Sequence, residues 1–453
     1  MGKRNGLLEA SWTVIDAGEH VAVQIDHAIK LLPFPAGGCV AYMIGAVMRG
    51  RALPVLGPVQ AQERCRGLPV SFGGSGPATL SSEMRIASIQ TSAERGGAEY
   101  ANVDLLRALQ ARGLDVVLVT NIPDIATGTQ IPVERLELGP KLSRRSALRI
   151  LIRWPALLLR LAGALRKLAP IDGVMLHFKK EQLLCSLLPR SLVGRIVWME
   201  WGPVPPPMRQ GPARALYALA ARRAEAIVAV SPGTAATVRA AGVPAEKVHV
   251  VPNLVEVSDI TPDPDARRRL RDSWGVGAET LVVGCVSRFQ RRKRNDVVID
   301  AMRHLSEGVL LVMAGEGEEE EALRERAAPY GGRVRFVPNV RGHAAEFLSA
   351  CDTLAFAPSP TEGEPRIIVL AQLVGLPVIA TAAEGAEGLV EPGNGTIISP
   401  EHDPSALAAA IESYRSDPAR RKAEGARARA GRLQSHDPDR TIAAIERLLG
   451  VSV

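Results

Sequence analysis

The apolar pattern of the chain changes character near residue 84. Before it, residues 1–83 are rich in glycine and proline and show no sustained hydrophobic period, ending in Gly73-Gly74-Ser75-Gly76-Pro77 and Ser81-Ser82. After it, short continuous apolar runs alternate with longer amphipathic stretches. Met84-Arg85-Ile86-Ala87-Ser88-Ile89 is followed by a helical stretch to about Arg112 and then by Val116-Val117-Leu118-Val119. Short runs with little polar interruption are how strands buried on both faces look, and their alternation with helices predicts a parallel sheet covered on both sides. Further runs fall at 173–177, 196–200, 226–230 and 248–251, and a polar, proline-containing link follows. A second set then occupies 281–286, 309–314, 334–337, 353–356 and 378–381. The expected class is α/β, with two Rossmann-like parallel-sheet domains facing across a cleft.

The expected boundaries are 84–257 for the first domain, 258–275 for a linker, 276–430 for the second domain and 431–453 for a closing helix. Met84 suits a translational start, so 1–83 reads as a poorly structured arm or a spurious extension. Its apolar piece at 36–48 could instead form a small docking helix.

A chain of 453 residues exceeds one usual domain, and 46% apolar residues is ample for two cores. No uninterrupted apolar run reaches membrane-spanning length, and the start leads into Glu9, Asp16 and Glu19 rather than a signal-peptide stretch, so the expected location is cytoplasmic. The five cysteines are scattered, with no Cys-x-x-Cys pair or His at ligand spacing, which disfavours metal and disulfide use. A net charge of +7 and a pI near 9.3 suit an anionic partner: phosphate, lipid surface or nucleic acid. With 4% aromatic residues and no nucleic-acid motif, the last is set aside.

Part of that charge is concentrated. Between Gly139 and Pro170 stand eight basic residues and no acid. At about 100° per residue Arg145, Arg149, Arg153, Arg160 and Lys167 share one arc of a helix, although Pro155 is expected to split it in two. Two readings stay open: an anionic membrane surface, peripheral on its inner face, or an ordinary solvated helix face. Asp263-Pro264-Asp265 and Asp437-Pro438-Asp439 mimic metal motifs but read as turn chemistry.

The richest stretch for chemistry is Pro358-Ser359-Pro360-Thr361-Glu362-Gly363-Glu364-Pro365-Arg366-Ile367-Ile368-Val369-Leu370-Ala371-Gln372. It predicts a strand end, a tight turn carrying a carboxylate, and a helix with proline in its first turn. Free N–H groups at such a start suit a diphosphate, and Glu362 beside them can accept from sugar hydroxyls. Ser287-Arg288-Phe289-Gln290-Arg291-Arg292-Lys293 follows a strand and offers a planar guanidinium fork and a mobile ammonium for phosphate, or else a solvated basic loop. Gly96-Gly97-Ala98-Glu99 follows the first strand, where glycine permits close approach to a ligand. Ser231 reads as a helix cap and Asn253 as a turn residue.

These stretches, with Gly375-Leu376-Pro377-Val378, resemble glycosyltransferase family 4, retaining enzymes of the GT-B fold, over about residues 84–430. The resemblance implies transfer of a sugar from a nucleotide-diphosphate donor to a hydroxyl acceptor, lipid-linked if the basic segment meets a membrane, in cell-envelope polysaccharide or glycolipid synthesis. It implies no cofactor and no metal. It places Glu362, Arg288 and Lys293 at the reacting diphosphate, and Gly97, Gly315, Gly363, Glu364, Arg366 and Ile367 at the donor. On the acceptor or sugar side it places Glu99, His177, Glu200 and Trp201. It also implies that the closing helix crosses back to the first domain. Two positions depart from the family. Leu370 stands where a second glutamate grips the ribose, and Trp201 stands where a histidine precedes Gly202. His177 is either a partial substitute for that histidine or a strand-end residue with a structural hydrogen bond. The departures motivate an alternative, a catalytically silent sugar- or nucleotide-binding protein on the same scaffold.

Overall fold

The computed structural model describes residues 84–451 except 92–95, 141, 143–145, 258–259, 341, 360–361, 384, 387 and 399–402, with 147 and 148 described by backbone alone. Nearer the start it describes only the backbone of three strands, β1 (Thr13–Asp16), β2 (His20–Ile25) and β3 (Ala28–Pro33). These pair antiparallel in that order, with Ile15 opposite Ala22 and Val23 opposite Lys30. The β-branched and aliphatic residues of this stretch favour extended chain. The candidate helix at 36–48 lies outside the described residues.

The first large sheet contains β4 (Arg85–Gln90), β5 (Asp115–Thr120), β6 (Val133–Arg135), β7 (Gly173–Leu176), β8 (Arg195–Glu200), β9 (Ala226–Ala229) and β10 (Val248–Val250). All pairs are parallel, in the order β10-β9-β8-β7-β4-β5-β6. The second contains β11 (Leu281–Val286), β12 (Val309–Ala314), β13 (Val334–Val337), β14 (Thr353–Phe356), β15 (Val378–Thr381) and β16 (Gly395–Ile398), parallel in the order β13-β12-β11-β14-β15-β16. In each sheet the chain starts centrally, builds outward, then returns to the other side of its first strand. The order therefore reverses between β4 and β7 and between β11 and β14, and a crevice opens beyond the carboxyl ends there.

Seven helices matter to the site: α1 (Gly97–Ala111), α2 (Ala147–Leu168), α3 (Lys179–Cys185), α4 (Gly211–Ala221), α5 (Pro264–Ser273), α6 (Arg366–Leu373) and α7 (Pro438–Leu449). On one face of the first sheet α2, α3 and α4 bury Leu157, Leu161, Leu183 and Tyr217 against Ile89 and Trp198. On the other, α1 and α7 bury Leu106, Leu109, Ile442, Ile445 and Leu449 against Ile86 and Met175. The stripe Ile442, Ile445, Leu449 is helical spacing, and each such side chain contributes about 1.5–3 kcal/mol on full burial. The last helix thus packs on the first sheet, capped by Asp437, which accepts from Asp439 N–H at 2.9 Å.

Two expectations change. The linker is largely the helix α5: Asp263 caps it by accepting from Ala266 N–H at 2.8 Å, and Arg271 pairs with Asp352 at 3.0 Å. Both Asp-Pro-Asp runs therefore begin helices. Meanwhile α2 runs unbroken through Pro155. The carbonyl that Pro155 cannot bond belongs to Leu151, and both residues are exposed, so water can serve it.

Candidate active site

Both crevices open into one cavity of about 600 Å³. Gly96, Gly97, Glu99, Phe178 and Trp201 line it from the first domain, Ser287, Arg288, Lys293 and Glu362 from the second, and Asn253 from the chain between them.

On the second domain, Lys293 Nζ and Arg292 Nη1 each donate to Glu362 Oε1 at 2.8 Å. Burial pushes the Lys293 ammonium below its ordinary pKa, while the Glu362 carboxylate opposes that shift. Ser359 N–H donates to the Arg292 carbonyl at 2.8 Å, so the basic loop and the Glu362 turn are held together. Arg288 reaches the opposite domain: a Cβ built on Gly96 would lie 3.6 Å from its Nη2 and 2.8 Å from Glu99 Oε2. Arg288, Lys293 and Glu362 thus share a single cavity. Arg292, not among the expected site residues, belongs with them.

The glycines separate by role. Gly97 opens α1 and lines the cavity, and a Cβ there would meet nothing within 4 Å. Gly363 is a point of contact between domains, since a Cβ would lie 1.9 Å from the Trp201 carbonyl oxygen. Gly385 behind it was missed, and its Cβ would fall 1.4 Å from the Gly363 oxygen. Gly315 does not line the cavity. Its φ of 155° and a would-be Cβ 2.0 Å from the Ser287 carbonyl let the loop after β12 lie against Ser287. It supports the Arg288 loop from behind.

Three charged candidates make specific contacts of their own. Glu364 borders the cavity, but its carboxylate accepts from Asn253 N–H at 2.6 Å and faces His436 Nε2 at 3.2 Å. Arg366 lines the cavity while pairing across the cleft with Asp104 of α1 at 2.8 Å, and it follows Pro365, which stands before the first helical turn rather than in it. Ile367, next on α6, lines the cavity as well. Glu200 is absent from the lining. Buried at the end of β8, it pairs with Lys179 and accepts from Gln182 Nε2 at 3.0 Å and Tyr217 Oη at 2.9 Å. The buried setting lowers the Lys179 pKa and raises that of Tyr217.

His177 lies behind the cavity wall. Trp201 Nε1 donates to its Nδ1 at 2.8 Å, which leaves Nε2 protonated to donate to Ser88 Oγ at 2.7 Å. Ser88 then donates to Asn102 Oδ1, and Asn102 Nδ2 to Gln90 Oε1 at 2.6 Å. The His177 and Trp201 rings lie with centroids 5.8 Å apart and planes 14° apart. Burial drives the His177 pKa to about 3, so the ring is neutral, and Trp201 is the member of the pair that lines the cavity. Leu370, half-buried, packs with the aliphatic core of the second domain.

Two family models match the chain: Glycosyltransferase Family 4 over residues 95–259 and Glycosyl transferases group 1 over residues 266–431. It is 33% identical over 210 residues to a D-inositol 3-phosphate glycosyltransferase of Xylanimonas cellulosilytica, covering 43% of this chain and 50% of that one. It is 32% identical over 216 residues to a GDP-mannose-dependent alpha-(1-6)-phosphatidylinositol monomannoside mannosyltransferase of Mycolicibacterium smegmatis, covering 45% and 56%. The chain spans about half the length of the curated relatives it matches. Among solved structures, Anabaena Alr3699/HepE in complex with UDP and glucose superposes with a TM-score of 0.69 at 24% identity, over 82% of this chain and 100% of that one. WaaG, a glycosyltransferase involved in lipopolysaccharide biosynthesis, gives 0.61 at 18% identity, over 81% and 100%. At those identities the likeness speaks for the fold. One model covers the first sheet and the other the second, and the chain belongs to the family 4 glycosyltransferases, with their two facing Rossmann-like domains.

Proposed function

We propose that this chain is a retaining glycosyltransferase that moves a sugar from a nucleotide-diphosphate donor to a hydroxyl acceptor. The observation that carries this reading is the meeting of Arg288, Lys293 and Glu362 in one cavity at the facing sheet reversals. As the bond from the anomeric carbon to the diphosphate breaks, negative charge grows on the departing oxygen, and Arg288, Arg292 and Lys293 stabilise it. A phosphate taking over the Lys293 and Arg292 hydrogen bonds releases the Glu362 carboxylate to accept from sugar hydroxyls. The acceptor hydroxyl attacks the same face, a new bond forms to the anomeric carbon, and its proton passes to the departing phosphate oxygen.

The relatives' names point to GDP-mannose and phosphatidylinositol mannosides, and two of the solved neighbours hold UDP. Those chemistries support a UDP- or GDP-sugar donor and a lipid-linked acceptor in envelope glycolipid or polysaccharide synthesis. No helix among the described residues is long and apolar enough to cross a membrane. The surface of α2 supports peripheral docking instead, since Leu151, Ile152 and Leu159 are exposed beside Arg149, Arg153 and Arg160.

The test is incubation with a panel of UDP- and GDP-sugars, following release of free nucleotide. Lys293→Ala and Glu362→Ala should each lower release by roughly 100-fold. Equal release by wild type and both variants, or none from any donor, would overturn the reading.

A further inference from the structure

Buried polar atoms in folded proteins are nearly always hydrogen-bonded, so an unpartnered one beside a cavity points to a missing ligand group. Among the described residues, such atoms include Oδ1 of Asn253, and Asn253 is the residue among them that lines the 600 Å³ cavity. It is 6% exposed. Its orientation is fixed by chemistry. Nδ2 lies 3.2 Å from the backbone carbonyl of Glu364, and a carbonyl only accepts, so the NH₂ end of the amide must face it. The main-chain N–H of Asn253 meanwhile donates to Glu364 Oε2 at 2.6 Å. Both contacts come from the turn that carries Glu362, and they leave the amide oxygen without a donor.

That oxygen needs an N–H or O–H. Phosphate oxygens offer only lone pairs at neutral pH, whereas sugar hydroxyls donate. Asn253 also borders a small space of about 10 Å³ walled by Val228, Val251 and Ile445, at the lower limit for a single water. The large cavity is the space that admits a substrate. We propose that Asn253 Oδ1 accepts a hydrogen bond from a hydroxyl of the transferred sugar, and that Glu364 is the positioning residue that aims it. This rests on the donor reading above. It replaces direct donor contact by the Glu364 carboxylate with an indirect role through Asn253.

The experiment compares binding of nucleoside diphosphate and nucleotide sugar by calorimetry, using UDP with UDP-glucose and GDP with GDP-mannose. In Asn253→Ala, affinity for the diphosphate should stay within about twofold while affinity for the sugar nucleotide falls about tenfold. Glu364→Gln should weaken the sugar nucleotide selectively but less. A second measurement needs no variant: among donors lacking single ring hydroxyls, one should bind the wild type about tenfold more weakly than the parent donor. Equal loss of diphosphate and sugar nucleotide in Asn253→Ala would overturn the proposal. So would unchanged affinity for both with lowered thermal stability, which would assign Oδ1 to the small internal space. Failure of the wild type to bind any of the four probes would instead strike the donor reading itself.

Discussion

At the residue scale the site rests on a buried ammonium that carries its own counter-ion. Lys293 is costly to bury charged, and Glu362 offsets that cost in the unliganded protein. Diphosphate and Glu362 therefore compete for the same two cations. In Glu362→Gln, UDP or GDP should bind as tightly as to wild type or up to about threefold more tightly, while sugar transfer falls at least about 100-fold. Calorimetry beside a nucleotide-release assay reads both, and parallel loss of binding and transfer would refute the competition. His177 makes a different statement. Its pKa falls from 6.5 to about 3, so between those values the unfolded chain binds a proton that the folded one does not. Its stabilising contribution is full above pH 6.5 and is lost as pH falls toward 3, at up to ~1.4 kcal/mol per pH unit. Glu181, raised by burial to about 7 from 4.5, has the opposite sense: its contribution is present at low pH and lost as pH rises through 7. Because Glu181 is common to both proteins, comparing wild type with His177→Gln isolates the histidine. Urea unfolding from pH 6.5 to 4.5 should show wild type losing stability relative to the variant, and parallel curves would mean that His177 titrates normally. The Trp201 to His177 bond joins residues 24 positions apart, so no reading of either residue alone shows it.

At the element scale, the strands buried on both faces were legible, and so were the edge strands β10 and β13, but the edge strands β6 and β16 were not. Leu281–Val286, Val309–Ala314 and Val378–Thr381 are continuous apolar runs, and the structure starts and stops them where the runs do. Val133–Arg135 and Gly395–Ile398 lie at sheet edges, where a polar or glycine-containing stretch suffices, and neither stood out in the sequence. The helical linker escaped notice for a related reason: α5 is held by Arg267 and Arg271 on Asp352 more than by an apolar stripe. Loop glycines were legible as loop glycines, but their roles depend on what each Cα touches. Gly315→Ala puts a methyl into the Ser287 carbonyl and should displace the Arg288 loop, lowering transfer by roughly 100-fold although position 315 lies outside the cavity lining. Gly97→Ala should leave stability within about 0.5 kcal/mol, because the new Cβ meets nothing and alanine favours a helix. Any loss of transfer in Gly97→Ala then reports how closely substrate approaches α1. Thermal melts with nucleotide release separate the cases, and a severe folding defect in Gly97→Ala would contradict the open space seen at its Cα.

At the scale of the whole molecule, two doubly wound sheets could be inferred from periodicity, but the contacts that aim them at each other could not. Gly363 against the Trp201 carbonyl, Arg366 on Asp104, and Glu364 between Asn253 and His436 join residues far apart in sequence. The outer surface of the first domain shows a further arrangement of this kind. The layer formed by α2, α3 and α4 exposes Leu151, Ile152, Leu159, Leu187, Leu216 and Leu219, with Arg149, Arg153 and Arg160 standing exposed on α2. Apolar side chains left uncovered among the described residues, next to cations, suit the boundary of an anionic bilayer, where each basic residue near the surface contributes about 1 kcal/mol. Replacing all three arginines by glutamine should therefore weaken binding to phosphatidylglycerol vesicles by roughly 100-fold. Raising salt should weaken the wild type in the same sense, because screening shortens the reach of these charges. Replacing Leu151, Ile152 and Leu159 by serine should lower binding with little change in salt dependence, since it removes buried apolar area and leaves the charges in place. Co-sedimentation with phosphatidylglycerol and phosphatidylcholine vesicles decides it: equal binding to both lipids, or binding unaffected by either set of substitutions, would make this layer an ordinary solvated face.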